Sequence, residues 1–162
     1  DYSSYWATGQ QLRHSQNPYD ADGVLKKELS TGYPRASKAL LMRNPPFSLF
    51  MVVPLGFVSA RVGSILWFLL LATCMGFSIR MLWIIHGRPP NRLHLLGYSF
   101  TPSLYCLAGG QTSIFALLGL VLFLHYYRSK PVVAGMALTL CALKPHLFFP
   151  FFLVVMAWIF AR

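Results

Sequence analysis

From Leu29 to the C-terminus the chain has no aspartate or glutamate, and apolar runs there alternate with short turns built from Pro, Gly, Arg and Lys. A soluble domain surrounds itself with charges of both signs. Here 56% of residues are hydrophobic and only 11% charged, so most of the surface is matched to a bilayer rather than to water. The sequence therefore predicts an integral membrane protein. In a soluble protein a formal charge of +10 would suggest nucleic acid, but Arg61, Arg80, Arg88, Arg92, Arg128, Lys130, Lys144 and Arg162 are spread between the apolar runs. Membrane topology accounts for them, and no nucleic-acid partner is expected. Cys74, Cys106 and Cys141 lie singly inside apolar segments, without metal-ligand or disulfide spacing, and read as small packing residues. A start at Asp1 and an end at Arg162 directly after an apolar run read as a piece of a longer polytopic chain.

Proline and glycine divide the apolar part. Phe47 to Ala60 is short for a span and contains Pro54, whereas Val62 to Ile85 is long enough to cross although it carries Arg80. An Arg near the end of such a segment snorkels more often than it binds an anion. After the basic turn Arg88 to Arg92, Leu93 to Ala108 is again short and is interrupted by Pro102. Gly109-Gly110-Gln111 breaks the chain before Thr112 to Tyr127, which reads as a good span. Pro131 to Leu143 follows, Lys144-Pro145-His146 interrupts, and Leu147 to Ala161 closes the sequence. The expected fold is all-α: a polytopic membrane helix bundle over residues 47–162, preceded by an outer loop of short amphipathic helices over residues 1–46. By the positive-inside rule the loop Arg128-Ser129-Lys130 is cytoplasmic, which puts Gln111 and Lys144 toward the outer face. The segments between Phe47 and Ala108 must then cross an even number of times, so one short segment is re-entrant. Phe47 to Ala60 and Leu93 to Ala108 both qualify.

All four acids, Asp1, Asp20, Asp22 and Glu28, stand in the first loop, so carboxylate chemistry is confined there. Tyr2, Tyr5, Trp6 and Leu12 form a helical stripe suited to a helix at a membrane surface, and Asp1 shares a face with Ser4 and Tyr5. The plainer reading is a solvated helix whose N-terminus Asp1 favours. Asn17-Pro18-Tyr19-Asp20 is a turn, and Val24 to Leu29 and Ser37 to Met42 are short helical candidates separated by Gly32-Tyr33-Pro34. Asn44-Pro45-Pro46 suits a helix entrance. Asp20-Ala21-Asp22 spells the Asp-x-Asp pattern of metal-dependent sugar-nucleotide enzymes, but that site needs a buried strand feeding a rigid acidic loop. His14, His86, His94, His125 and His146 show no helical pairing either, so no metal and no cofactor are expected. Lys144 is costly to bury without an anion, and no acid in any membrane segment is there to pair with it; a lipid phosphate suits it, with His146 nearby.

An Asp opening the first outer loop, a Tyr-rich helix, Asn17-Pro18-Tyr19-Asp20, Asn44-Pro45-Pro46, Pro54, Gly110-Gln111, and Ala134-Gly135 leading to Lys144-Pro145 occur in this order. The order resembles glycosyltransferase family 87, the polyprenyl-phosphate-mannose-dependent mannosyltransferases of the GT-C fold, of which this would be an N-terminal part. The resemblance implies transfer of a hexose, most often mannose, from a polyprenyl-phosphate donor to a glycolipid or glycan acceptor at the plasma membrane, with inversion and without metal. It makes Asp1 the expected catalytic base, with Asp20 and Asp22 in reserve. Tyr5, Tyr19, Asp20, Gln111, Lys144 and His146 are the expected substrate contacts. The competing class is a transporter or lipid flippase subunit, which also uses broken helices. Such a protein should carry mid-membrane acids or an internal repeat, and neither is visible here.

Overall fold

Helices stop where proline or glycine stops them. In the computed structural model, which describes residues 1–32 and 38–161, nine α-helices and no strand are found among the described residues, in keeping with the all-α expectation. They are α1 (Tyr2–Arg13), α2 (Ala21–Ser30), α3 (Leu49–Val52), α4 (Ala60–Ile85), α5 (Leu96–Ser99), α6 (Thr101–Ala108), α7 (Ser113–Tyr126), α8 (Pro131–Cys141) and α9 (Pro145–Phe160). Pro45 and Pro46 open the first apolar segment as predicted, but no continuous helix follows. The four residues of α3 lie between the 3-10 turns Pro46–Ser48 and Val53–Phe57, because Pro54 has no N–H to continue the α ladder. Leu93 to Ala108 is likewise split: α5 ends at Phe100, whose backbone is extended, and α6 begins beside Pro102.

Two compact units are present, Asp1–Thr73 with Thr101–Gln111, and Cys74–Phe100 with Thr112–Arg162. In the first, α1 packs on the broken segment Pro46–Phe57 and on α2. Six consecutive α1 residues, Ser4 to Gly9, are buried, so this helix is surrounded by protein instead of lying on a surface with one apolar stripe. The predicted short helix at Val24 to Leu29 forms within α2. Of the other candidate, Ser37 lies outside the described residues, as do Tyr33 and Pro34, and Lys38 to Met42 follow an irregular path.

The second unit is built around the α7–α8 hairpin, in which Cys141 Sγ donates to the Ala116 carbonyl at 3.4 Å. Among the described residues only α4 is long and apolar enough to cross a membrane alone. Its 26 residues span about 39 Å. Only 33% of its most apolar window is buried, unlike the core helix of a soluble domain. The run expected as a good span, Thr112 to Tyr127, yields the 14 residues of α7. At about 21 Å this helix falls short of a hydrocarbon core of about 30 Å.

Candidate active site

The first unit is held by side chains that reach backbone carbonyls, and its position follows from what the 3-10 turn leaves unpaired. Gly56 lies at the end of that turn and Val58 links it to α4, so their carbonyls stand outside an α ladder, while Ala60 opens α4. Side chains of α1 supply donors to them: Tyr2 Oη to Ala60 O at 2.9 Å, Trp6 Nε1 to Val58 O at 2.9 Å, and Gln10 Nε2 to Gly56 O at 2.9 Å. Arg13 adds a second donor to Gly56 O at 3.2 Å and lies over the Phe57 ring. Gly9 and Gly56 make this closeness possible. A Cβ on Gly9 would fall on the Val52 carbonyl oxygen, and one on Gly56 would fall on the Gly9 carbonyl oxygen.

Asp1 begins α1 beside the Gly109–Gln111 turn. Its backbone nitrogen donates to Gly109 O at 3.0 Å, and its carbonyl accepts from the Ser4 and Tyr5 amides and from Ser4 Oγ at 2.8 Å. Asp1 occupies the N-cap position, with no capping hydrogen bond from its side chain. Gly110 has φ +66, and a side chain there would come within 2.9 Å of Tyr2 Cβ and 3.3 Å of Trp67 Cδ1. Trp67, 3% exposed, donates its indole N–H to Gly110 O at 2.9 Å and packs its ring on Tyr5 at 5.7 Å between centroids. Gln111 Oε1 accepts from Cys106 Sγ at 3.7 Å. Alongside this corner runs an apolar cleft of about 320 Å³ between α4 and α6, lined by Ser64, Ile65, Phe68, Leu107 and Gly110 among others. The structure thus brings Asp1, Tyr5 and Gln111 to one corner, with Tyr5 buried in its wall.

The other first-loop residues are set apart from that corner. Asp20 caps α2, its Oδ2 accepting from the Gly23 amide at 3.2 Å, and Tyr19 and Asp22 are exposed beside it. Gln11 is ten residue steps along the helix from Asp1, about 15 Å, and α2 starts near Gln11. Glu28 was not singled out by sequence reasoning, yet it is buried and ties the loop together. Its Oε1 accepts from Ser3 Oγ at 3.5 Å and its Oε2 from the Leu40 amide at 3.1 Å. The only available signal was the i, i+4 pair of Val24 and Glu28 on one face of α2. Trp67 was also passed over, since an apolar span gives no hint of which aromatic faces a turn.

In the second unit, α8 ends at Cys141 and α9 begins at Pro145, with the half-buried Lys144 as N-cap residue in a non-helical conformation. The predicted break is present. Because α8 returns antiparallel to α7, Lys144 lies at the end of the hairpin where Thr112 enters α7. His146 is exposed in the first turn of α9. Among the described residues no three His, Cys, Asp or Glu converge as a metal-binding group.

A family model matches residues 43–161, that of glycosyltransferase family 87. The chain belongs to that family. Its members are membrane glycosyltransferases, so the chemistry is glycosyl transfer between a sugar donor and an acceptor, and the transporter or flippase alternative is set aside. Gln111, Lys144 and His146 fall inside the family 87 match; Asp1, Tyr5, Tyr19 and Asp20 precede it. Comparison with curated proteins and with solved structures gave no significant match in either.

Proposed function

We propose that this family 87 protein is a multi-pass plasma-membrane hexosyltransferase of the GT-C type that moves mannose from a polyprenyl phosphate to a glycolipid or glycan. The observation that carries the reading is an exposed acid, Asp1, held by its backbone at the Gly109–Gln111 turn, whose Gly110 also lines an apolar cleft along a membrane-length helix. A polyprenyl chain needs an apolar path, and the acceptor hydroxyl needs a base at its end. The acceptor O–H gives its proton to Asp1 as its oxygen attacks the anomeric carbon from the face opposite the phosphate. The carbon–oxygen bond to phosphate breaks, and the configuration inverts. The released polyprenyl phosphate carries an added negative charge, which Lys144 neutralises, with His146 as a neighbouring donor. Gln111 and Tyr19 contact the sugars, and Asp20 fixes the loop that presents them. Residues 1–46 form the outer loop and residues 47–162 the membrane part, with the short broken helices re-entrant or paired.

The test is to supply membranes containing the full-length protein with radiolabelled polyprenyl-phosphate mannose and candidate glycolipids. Label in the acceptor is expected. Label transferred only from a sugar nucleotide would refute the lipid-phosphate donor.

A further inference from the structure

The broken segment Pro46–Phe57 has two unlike faces. Val52 and Gly56 are buried against Gly9 of α1, and Ser48 and Leu55 are buried with them. Phe47, Phe50, Pro54 and Phe57 point the other way and are exposed. They recur at i, i+3, i+7 and i+10, a single stripe along the segment. Phe50 and Phe57 leave 67% and 64% of their surface uncovered, and the one polar residue of the segment, Ser48, is on the buried side. A continuous apolar stripe of this kind marks an interaction surface. Helix α2, whose Asp22 and Lys26 are exposed to water, packs on a different face of α1, through Ser3 and Gln11. The loop is therefore amphipathic as a folded body, with the aromatic stripe as its apolar side.

Charge, backbone and chain continuity select the occupant. Exposed Arg43 and Arg61 flank the segment, Arg13 holds its guanidinium over the Phe57 ring at 5.4 Å, and no Asp or Glu occurs after Glu28 to neutralise them. Cations beside exposed aromatics match anionic headgroups above acyl chains. The carbonyls of Gly56 and Val58, which the break at Pro54 leaves outside an α ladder, turn toward α1 and accept there from Gln10, Arg13 and Trp6. These polar groups are thus kept from lipid. The stripe also runs directly into α4, where Val62, Ile65, Leu66 and Leu69 are exposed in turn. We infer that Phe47, Phe50 and Phe57 form a membrane-docking face, seated at the boundary of headgroups and acyl chains in anionic phospholipid, with Arg13, Arg43 and Arg61 on the phosphates. Twelve residues cannot cross a core of about 30 Å, so the segment enters and leaves on one side. This goes beyond the transferase reading and holds whichever sugar is moved. Its consequence is that α1, packed on the segment, keeps a fixed height above the acyl chains, about one helix diameter.

The test places the photocrosslinker p-benzoylphenylalanine at Phe47, Phe50 or Phe57, one at a time, in the full-length protein. Each variant is reconstituted in nanodiscs of equal parts phosphatidylcholine and phosphatidylglycerol, irradiated and weighed by mass spectrometry. The expected product at all three positions is the protein with one phospholipid attached, whereas the same group at Lys26 on the water side of α2 should take up none. Phosphatidylglycerol should exceed phosphatidylcholine severalfold among the adducts, and Arg13→Gln should bring the two toward parity. Because Arg13 also holds the Gly56 carbonyl, Arg43→Gln at an exposed position carries the same test should the first variant fail to fold. Cross-links into another segment of the chain or a second copy would show that protein covers the stripe and would overturn the inference. So would absence of lipid adducts, equal labelling at Lys26, or no excess of phosphatidylglycerol. No turnover is measured, so failure here leaves the transferase reading untouched.

Discussion

Helices α1 and α9 have comparable lengths, 12 and 16 residues, but seven residues of α1 are buried and none of α9 is. The difference does not follow hydrophobicity, since α1 is rich in Ser, Thr and Gln while α9 is almost wholly apolar. Helix α1 is covered by protein because its donors match the carbonyls of a broken segment and because Gly9 and Gly56 let two backbones touch. Helix α9 leaves Leu147, Phe149, Leu153 and Val154 exposed, a surface whose cover is lipid or further protein. Directional polar contacts fix geometry to within tenths of an ångström, whereas apolar matching to a bilayer fixes little beyond depth. The unit that carries Asp1 uses the first, as the proposed proton transfer would require.

Five measurements sharpen or break that contrast. The largest effect is expected for Asp1→Asn, which should lower transfer by about 10²–10⁴-fold, the range for a general base, with donor binding retained. Near-normal turnover would take Asp1 out of the mechanism. Next is Lys144→Gln, which should weaken binding of the polyprenyl-phosphate sugar by about 1.5–3 kcal/mol, the scale of a charge-assisted hydrogen bond. A silent substitution in a donor titration would mean that Lys144 only snorkels. Third, Gly56→Ala should cost about 1–3 kcal/mol through overpacking against the Gly9 carbonyl. Val154→Ala on the uncovered face of α9 should stay within about 0.5 kcal/mol, and equal Tm shifts in detergent would erase the distinction between the two units. The smallest is a chelator, for which no change in transfer rate is expected; loss of activity with rescue by added divalent ion would bring metal into the reaction.

Much of the fold was legible because its punctuation is local. Pro45, Pro46, Pro54, Pro102, Gly110 and Pro145 each act through their own φ angle or missing N–H, and the helices begin or break beside each of them. Tertiary closeness was not legible. Nothing in the spacing of Gly9 and Gly56 announces that they touch, and nothing marks Glu28 as a buried clamp reaching Ser3 and Leu40. The surface stripe read at Tyr2, Tyr5 and Trp6 misplaced α1 for the same reason, since helical period identifies an apolar face without saying what covers the other. Of the site, the Asp1 corner with Gln111 follows from chain order and the Gly110 break.

The α7–α8 hairpin bears on how the protein enters its membrane. Helices of 14 and 11 residues are each too short to be threaded as independent spans, which need about 20. In the multi-pass arrangement proposed above, the pair would enter as one wedge, with Arg128 and Lys130 at its tip. A bilayer that embraces such a wedge is locally thinned, and thinning draws lipid headgroups inward toward the other end of the hairpin. That end is where Lys144 stands, so in the proposed reaction the brevity of two helices would bring the donor phosphate nearer to its cation than a full-length span would.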